Sequence, residues 1–196
     1  MTLALLALLV AAPADFTFVR HAETVANATG RYNSKTLNAL SDKGQKQVSA
    51  LTRELLGQPD YDLVLVSPSP RALKTIAPYL KAKGIKATVW PLLYECCTGR
   101  QRTSKATRFD WGPRVSIPKE LAAYFLVQPG MDRLPNAPNF GAGLAQVAAT
   151  VKEFKASYSN RRVLLVGHSG HGGQFLYALT GKRHHVKNAE TIAFRF

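Results

Sequence analysis

Arg20 and His21 stand side by side directly after a short apolar run. A second histidine, His168, sits in Gly167-His168-Ser169-Gly170 after another such run. Ser67 ends a third, with Arg71 one helical turn further on. Imidazole exchanges protons and attacks electrophiles near neutrality, and guanidinium is a permanently charged planar fork that fits oxyanions. Each residue alone has an ordinary use: a histidine after a strand caps or packs, and an arginine near a helix start is solvated. Coincidence at three strand ends points to a site, because ligands of open α/β sheets bind outside the carboxyl ends of the strands.

That reasoning depends on the strands. Asp15 to Val19 reads as a short one. "DLVLV" (62–66) and "RVLLVG" (162–167) are continuous apolar runs, the pattern of strands buried on both faces. "KATVW" (86–90) suggests another, and "ETIAFRF" closes the chain as the last. Helical spacing of Val48, Leu51, Leu55 and Leu56 predicts a helix from Ser41 to Leu56. A second runs from Pro70 to Lys83, with Pro78 expected to kink it. A short helix follows Pro118, and a long one spans Gly143 to Tyr158 with Val147, Val151 and Phe154 on one face. "QFLYALTG" is helical to Gly181, after a Gly-rich turn. Residues 91–117 lack periodicity, and "PGMDRLPNAPNFG" reads as a loop. Strands alternating with helices predict an α/β fold, a three-layer α/β/α sandwich around a mostly parallel sheet. No repeat, low-complexity tract or linker interrupts it, so 15–196 reads as a single domain.

Lys and Arg number 26 against 12 Asp and Glu, a formal charge of +14. Such a field attracts phosphorylated small molecules, nucleic acid or acidic lipid alike, or simply keeps the chain soluble. The basic residues are not interleaved with an aromatic stacking surface, so a nucleic-acid partner is not expected. "LALLALLV" (3–10) is too short for a stable membrane span. Ala12-Pro13-Ala14 after it offers small residues where a signal peptidase reads, so residues 1–14 read as a signal peptide and the protein as exported to a Gram-negative periplasm. No Lys or Arg precedes the run, and a buried segment of a cytoplasmic protein is the other reading. Cys96 and Cys97 are adjacent and give no disulfide framework. No further ligands stand near them, so neither a metal nor another cofactor is expected.

"VRHAETVAN" is similar to the RHG motif of the histidine phosphatase superfamily, with its phosphoglycerate mutase-like fold. "LSDKGQKQV" (40–48) resembles that family's Leu-Thr-x-x-Gly-x-x-Gln segment, and "VSPSPRALKTI" (66–76) the segment with its second phosphate-binding arginine. "LLYECCTG" (92–99) looks like the place where one branch keeps an acidic residue, and "VGHSG" (166–170) like the second-histidine motif. The resemblance covers the chain from about Asp15 onward. Two departures stand out: Ala22 replaces the motif's glycine, and 100–114 carries no family pattern.

The resemblance implies a metal-independent phosphomonoesterase. His21 attacks phosphorus as a neutral imidazole, its other ring nitrogen donating to a carbonyl, and water hydrolyses the phosphohistidine. Arg20, Arg71 and His168 bind the phosphoryl oxygens. Asn27 and Thr24 line the pocket or bond their own backbone, and Ser169 and Gly170 offer N–H groups at a helix start. Glu95 is the implied general acid, with Asp110 as the alternative donor and a mildly acidic optimum as the consequence. Arg100, Arg102, Lys105, Arg108 and Arg114 either rim the pocket, favouring a multiply anionic sugar or inositol phosphate, or form a solvated loop. A phosphoglycerate mutase-type phosphotransferase shares the phosphohistidine, though export argues against a cytosolic substrate. A non-catalytic basic protein that binds anions or nucleic acid is the rival from another class.

Overall fold

The computed structural model describes residues 15–98 and 105–195. Six strands form the main sheet: β1 (Asp15–Arg20), β2 (Leu63–Val66), β3 (Ala87–Val89), β5 (Phe125–Val127), β7 (Val163–Gly167) and β8 (Thr191–Arg195). β4 (Asp110–Arg114) and β6 (Arg133–Asn136) pair separately as an antiparallel ribbon. The helices are α1 (Val25–Thr29), α2 (Asp42–Leu56), α3 (Pro70–Lys83), α4 (Phe140–Ser157) and α5 (Ser169–Thr180).

The sheet order is β5-β3-β2-β7-β1-β8, parallel throughout except for β8 against β1. Alternation explains the apolar runs. Val64, Val66, Leu164 and Val166 face one layer, with Leu51 and Leu55 of α2 and Leu73, Ile76 and Leu80 of α3. Phe16, Phe18, Leu65 and Leu165 face the other, with Val147 and Phe154 of α4 and Phe175 and Leu176 of α5. Every residue of both sets has 7 % exposure or less. Burying a side chain such as Phe18 contributes about 2–3 kcal/mol relative to exposure.

β7 comes late in the chain but lies between β2 and β1. Strand order therefore reverses there, and the carboxyl ends of β1, β7 and β2 stand side by side. Val66 pairs with Val166 and Arg20 with Gly167, so Ser67, His168 and His21 emerge at one edge.

α3 spans Pro70–Lys83, as its spacing predicts, with Pro78 inside it. Several other sequence expectations need correction. α4 begins at Phe140, within the segment read as a loop, because Asn139 caps it by accepting from the Ala142 N–H at 2.8 Å. The rest of that loop contains β6. The turn after Pro118 is a 3-10 segment (Lys119–Tyr124), and β5 follows it directly. The Gly-rich stretch is the first turns of α5, not a turn before it. Glycine's weak helix propensity is overridden there by close packing: a Cβ on Gly170 would lie 2.4 Å from the Cys96 carbonyl oxygen and 2.7 Å from Glu95 Oε1. The proposed signal segment, Arg100 and Arg102 lie outside the described residues.

Candidate active site

β1 delivers Arg20 and His21 to the loop. The His21 N–H continues the parallel ladder, donating to Gly167 O at 2.9 Å. The imidazole is 3 % exposed. Its Nδ1 lies 2.8 Å from the carbonyl oxygen of Ala22, and a carbonyl only accepts, so Nδ1 carries the proton. Nε2 accepts from Arg71 Nε–H at 3.3 Å. Both contacts define a neutral ring whose Nε2 lone pair faces into the site. Burial, reinforced by the charges of Arg71 and Arg20, lowers the His21 pKa to about 3 against the opposing Ala22 contact.

Arg71 stands in the first turn of α3, behind Pro70 at a position where proline's missing N–H costs nothing. Its Nη1 donates to Asn38 Oδ1 at 3.3 Å. Arg20 Nη1 donates to Val186 O at 3.2 Å, and its Nε is buried without a partner. Among the described residues neither guanidinium forms an ion pair with a carboxylate. Burial lowers both arginine pKa values, and the field of Glu95 raises them.

His168 is completely buried at the N-cap of α5, its ring edge-on to His21 with centroids 5.2 Å apart. Nε2 lies 2.7 Å from Ser67 Oγ and 3.2 Å from Ser69 Oγ. Ser69 is the N-cap of α3 but makes no side-chain capping bond. Its hydroxyl serves the histidine instead. Nδ1 of His168 has no hydrogen-bond partner and lies 3.9 Å from Glu95 Oε2. The other carboxylate oxygen, Oε1, accepts from the His171 N–H at 2.9 Å. That N–H is one of the donors a helix start leaves free, so α5 anchors Glu95. Burial raises the Glu95 pKa, outweighing the His171 N–H, Arg71, Arg20 and the Cys96 N–H, which pull it down.

Three buried imidazoles give the fold an acid liability. His171, completely buried with Nε2 3.1 Å from Thr150 Oγ1, is pushed by burial to a pKa of about 3, like His21. His168 is likewise held well below the ordinary imidazole range, by burial first and then by Arg71. Above the ordinary value of 6.5 neither the folded nor the unfolded chain protonates these rings. Below it the unfolded chain takes up protons that the folded one refuses. His21 and His171 should therefore each cost about 2 kcal/mol of stability at about pH 5, and His168 acts in the same direction. Glu95 opposes this between its raised pKa and the ordinary 4.5. Thermal unfolding should show Tm falling by on the order of 10 °C between about pH 7 and 5. A flat Tm over that range would mean these rings protonate in the folded state.

The remaining residues divide. Thr24 Oγ1 accepts from the Asn27 N–H at 3.2 Å and Asn27 Oδ1 accepts from the Thr24 N–H at 3.1 Å, a capping box for α1. Thr24 also donates its hydroxyl to Asn27 Oδ1, so its bonding capacity serves the cap. The Asn27 amide nitrogen remains available. The Ser169 side chain is exposed, and Gly170 is where Glu95 packs. Asp110 lies exposed in β4 opposite Asn136, in a strand and not in a loop. Lys105, Arg108 and Arg114 are exposed, with Arg114 3.5 Å from Asp132. Cys96 and Cys97 are free thiols with Sγ atoms 3.1 Å apart. Asn38, Ser69, Thr75, His171 and Asn188 contact this cluster but received no role from sequence. No spacing relative to a motif marked them, and only their contacts reveal them.

Solved structures share the fold. A candidate α-ribazole-5′-phosphate phosphatase from Escherichia coli is similar at TM-score 0.64 and 18% identity, over 92% of this chain and 89% of that one. The α-ribazole phosphatase of Shigella flexneri has TM-score 0.63 and 21% identity, over 91% and 89% of the two chains. A phosphoserine phosphatase from Entamoeba histolytica has TM-score 0.60 and 14% identity, over 92% and 89%. No curated protein sequence matches the chain. Residues 16–192, which carry both histidines, both arginines and Glu95, match the histidine phosphatase superfamily (branch 1), and the chain belongs to that superfamily.

Proposed function

We propose that this protein hydrolyses phosphomonoesters of small molecules, sugar phosphates among them, without a metal and through a phosphohistidine on His21. One observation carries the reading. Two guanidiniums without carboxylate partners, a neutral imidazole and unpartnered polar atoms at Arg20 Nε and His168 Nδ1 converge at one sheet edge. Such a set of donors fits an anion with several acceptor oxygens.

On binding, Arg71 Nε–H passes from His21 Nε2 to a phosphoryl oxygen and frees the lone pair. Nε2 attacks phosphorus, the P–O ester bond breaks, and a protonated Glu95 gives its proton to the leaving oxygen. The ring keeps its Nδ1 proton, and its new positive charge faces the Ala22 carbonyl. Water then attacks phosphorus and yields its proton to the Glu95 carboxylate. The P–N bond breaks and orthophosphate leaves. Arg20, Arg71 and His168, whose Nδ1 is the donor when Ser67 donates to Nε2, hold charge that spreads over the equatorial oxygens.

The test is orthophosphate release from an aryl phosphate in the presence of EDTA, with trapping of a labelled protein. The label should survive alkali and be lost in acid, as a phosphoramidate is. No release, or release abolished by EDTA, sinks the reading. Release of orthophosphate in place of transfer to a second alcohol separates a hydrolase from a mutase. Salt-sensitive DNA binding without release favours the anion-binding rival.

Glu95→Gln gives an independent check. An alkyl phosphate, whose leaving oxygen needs the proton, should lose about 10²- to 10⁴-fold in kcat, and an aryl phosphate much less. The wild-type rate should fall on the alkaline side as Glu95 ionises, and the variant should lack that limb. Equal losses on both substrates would remove Glu95 from proton transfer. Export after Ala14 belongs to the same proposal, and the mass of the chain recovered from a periplasmic extract tests it.

A further inference from the structure

The segment before β8 wraps the Arg20-His21 pair. The β1–β8 ladder ends at Val19 and Thr191. Beyond it, Ala189 N–H still donates to Arg20 O at 2.9 Å, and Val186 O accepts from Arg20 Nη1. His21 O lies past the reach of any backbone N–H from β8. The Asn188 side chain supplies the missing donor, with Nδ2 2.9 Å from His21 O and 3.4 Å from Asn27 Oδ1. Ala189 has φ 56°, a left-handed conformation that a residue with a Cβ adopts at a cost. The chain holds this conformation where it brings Asn188 and the Ala189 N–H onto the pair.

His21 C=O and Ala22 N–H belong to one planar peptide unit. Asn188 holds its oxygen side. Thr75 Oγ1 holds its nitrogen side, accepting from Ala22 N–H at 2.9 Å, and is itself anchored to Arg71 O at 2.7 Å. The next carbonyl along, Ala22 O, is the acceptor for His21 Nδ1–H. Rocking of the clamped peptide would move that acceptor, turn the ring and swing Nε2 off the line of attack.

We propose that Asn188 is a positioning residue for His21, fixing the imidazole through the His21–Ala22 peptide from the side opposite Thr75. The inference rests on His21 being the nucleophile. A cavity of about 580 Å³, lined in part by Arg20, Gln47, Lys187 and Asn188, adjoins this contact. Water from it can reach a vacated His21 carbonyl, so removal of the amide should cost alignment more than folding.

The test compares wild type, His21→Ala, Asn188→Ala, Asn188→Asp, Thr75→Val and the Asn188→Ala/Thr75→Val double variant on an aryl phosphate. Asn188→Ala should lower kcat about 10- to 100-fold, the size expected of a misplacement near 1 Å. KM should stay within about threefold, because the arginines that hold phosphate are untouched. Asn188→Asp keeps the shape but turns acceptors toward the carbonyl, and should lose at least as much. In single turnovers the deficit should appear in phosphoenzyme formation. Two supports of one peptide should act non-additively, so the double variant should lose less than the product of the single losses. Wild-type kcat per folded molecule in Asn188→Ala, a loss that only follows unfolding, or multiplicative effects would overturn the proposal. An inactive wild type, or turnover surviving in His21→Ala, would overturn the nucleophile reading instead.

Discussion

His21→Ala should lose turnover by roughly 10⁴- to 10⁶-fold, the scale seen when an enzyme that works through a covalent intermediate loses its nucleophile. No other group in the site takes over. His168 is tied at Nε2 to Ser67 and Ser69, and Glu95 is held at Oε1 by the α5 backbone. The variant should still bind orthophosphate, because Arg20 and Arg71 keep their anchors at Val186 and Asn38. Phosphate should therefore still raise its Tm while labelled phosphoenzyme disappears. Retention of more than about a hundredth of the wild-type kcat would show that phosphorus is attacked directly by water, with His21 a bystander.

Arg71→Met should have the next largest effect, a loss of about 10²- to 10³-fold in kcat, as when one donor to a developing oxyanion is removed. It should also change the pH profile. Burial is the first cause of the low His21 pKa of about 3 and the Arg71 charge the second, so a neutral side chain at position 71 lets that pKa rise. A protonated imidazole has no lone pair on Nε2. The variant should therefore acquire an acid limb in kcat/KM at a pH where wild type is still flat. Arg71→Lys separates the two contributions. It keeps the charge, and with it the low pKa, but loses the planar fork, so it should be slow with a wild-type acid limb. Identical profiles for all three proteins would show that the Arg71 charge does not set the ionisation of His21.

The mildly acidic optimum expected from sequence acquires a boundary from the structure. In the proposed mechanism a neutral His21 and a raised Glu95 pKa both favour turnover on the acid side. The buried imidazoles work against the folded state over the same range. The acid limit of this enzyme should be set by unfolding before chemistry fails.

The strands at 15–20, 63–66 and 163–167 were legible because they are short apolar runs buried on both faces. Their pattern alone would also suit a buried helix, but their length of 4 to 6 residues suits a strand. β4 and β6 were not, since their residues are mostly exposed and include Gly112, Pro113 and Pro135. Their pairing with each other, not local preference, makes them strands. α5 was read too short because Gly170, Gly172 and Gly173 argue against a helix locally, and close packing at Gly170 and Gly172 decides otherwise. Thr24 followed the family pattern in sequence, yet its hydroxyl closes a helix cap three residues long, a use that spacing does not distinguish from ligand binding.

Sequence by itself determined which chemical groups this protein owns and which strand ends carry them: Arg20 and His21, Ser67, and His168, with Arg71 and Glu95 in recognisable surroundings. Charge state and aim were decided by tertiary structure alone. Desolvation depends on everything packed around a group, so the neutral His21, the lowered His168 and the raised Glu95 exist only in the folded core. Their partners come from far along the chain, Ser67 to His168, Glu95 to His171 and Asn188 to His21. The first two form because β7 inserts between β2 and β1 and brings the three strand ends together, and the third because the β8 side of the sheet runs along β1.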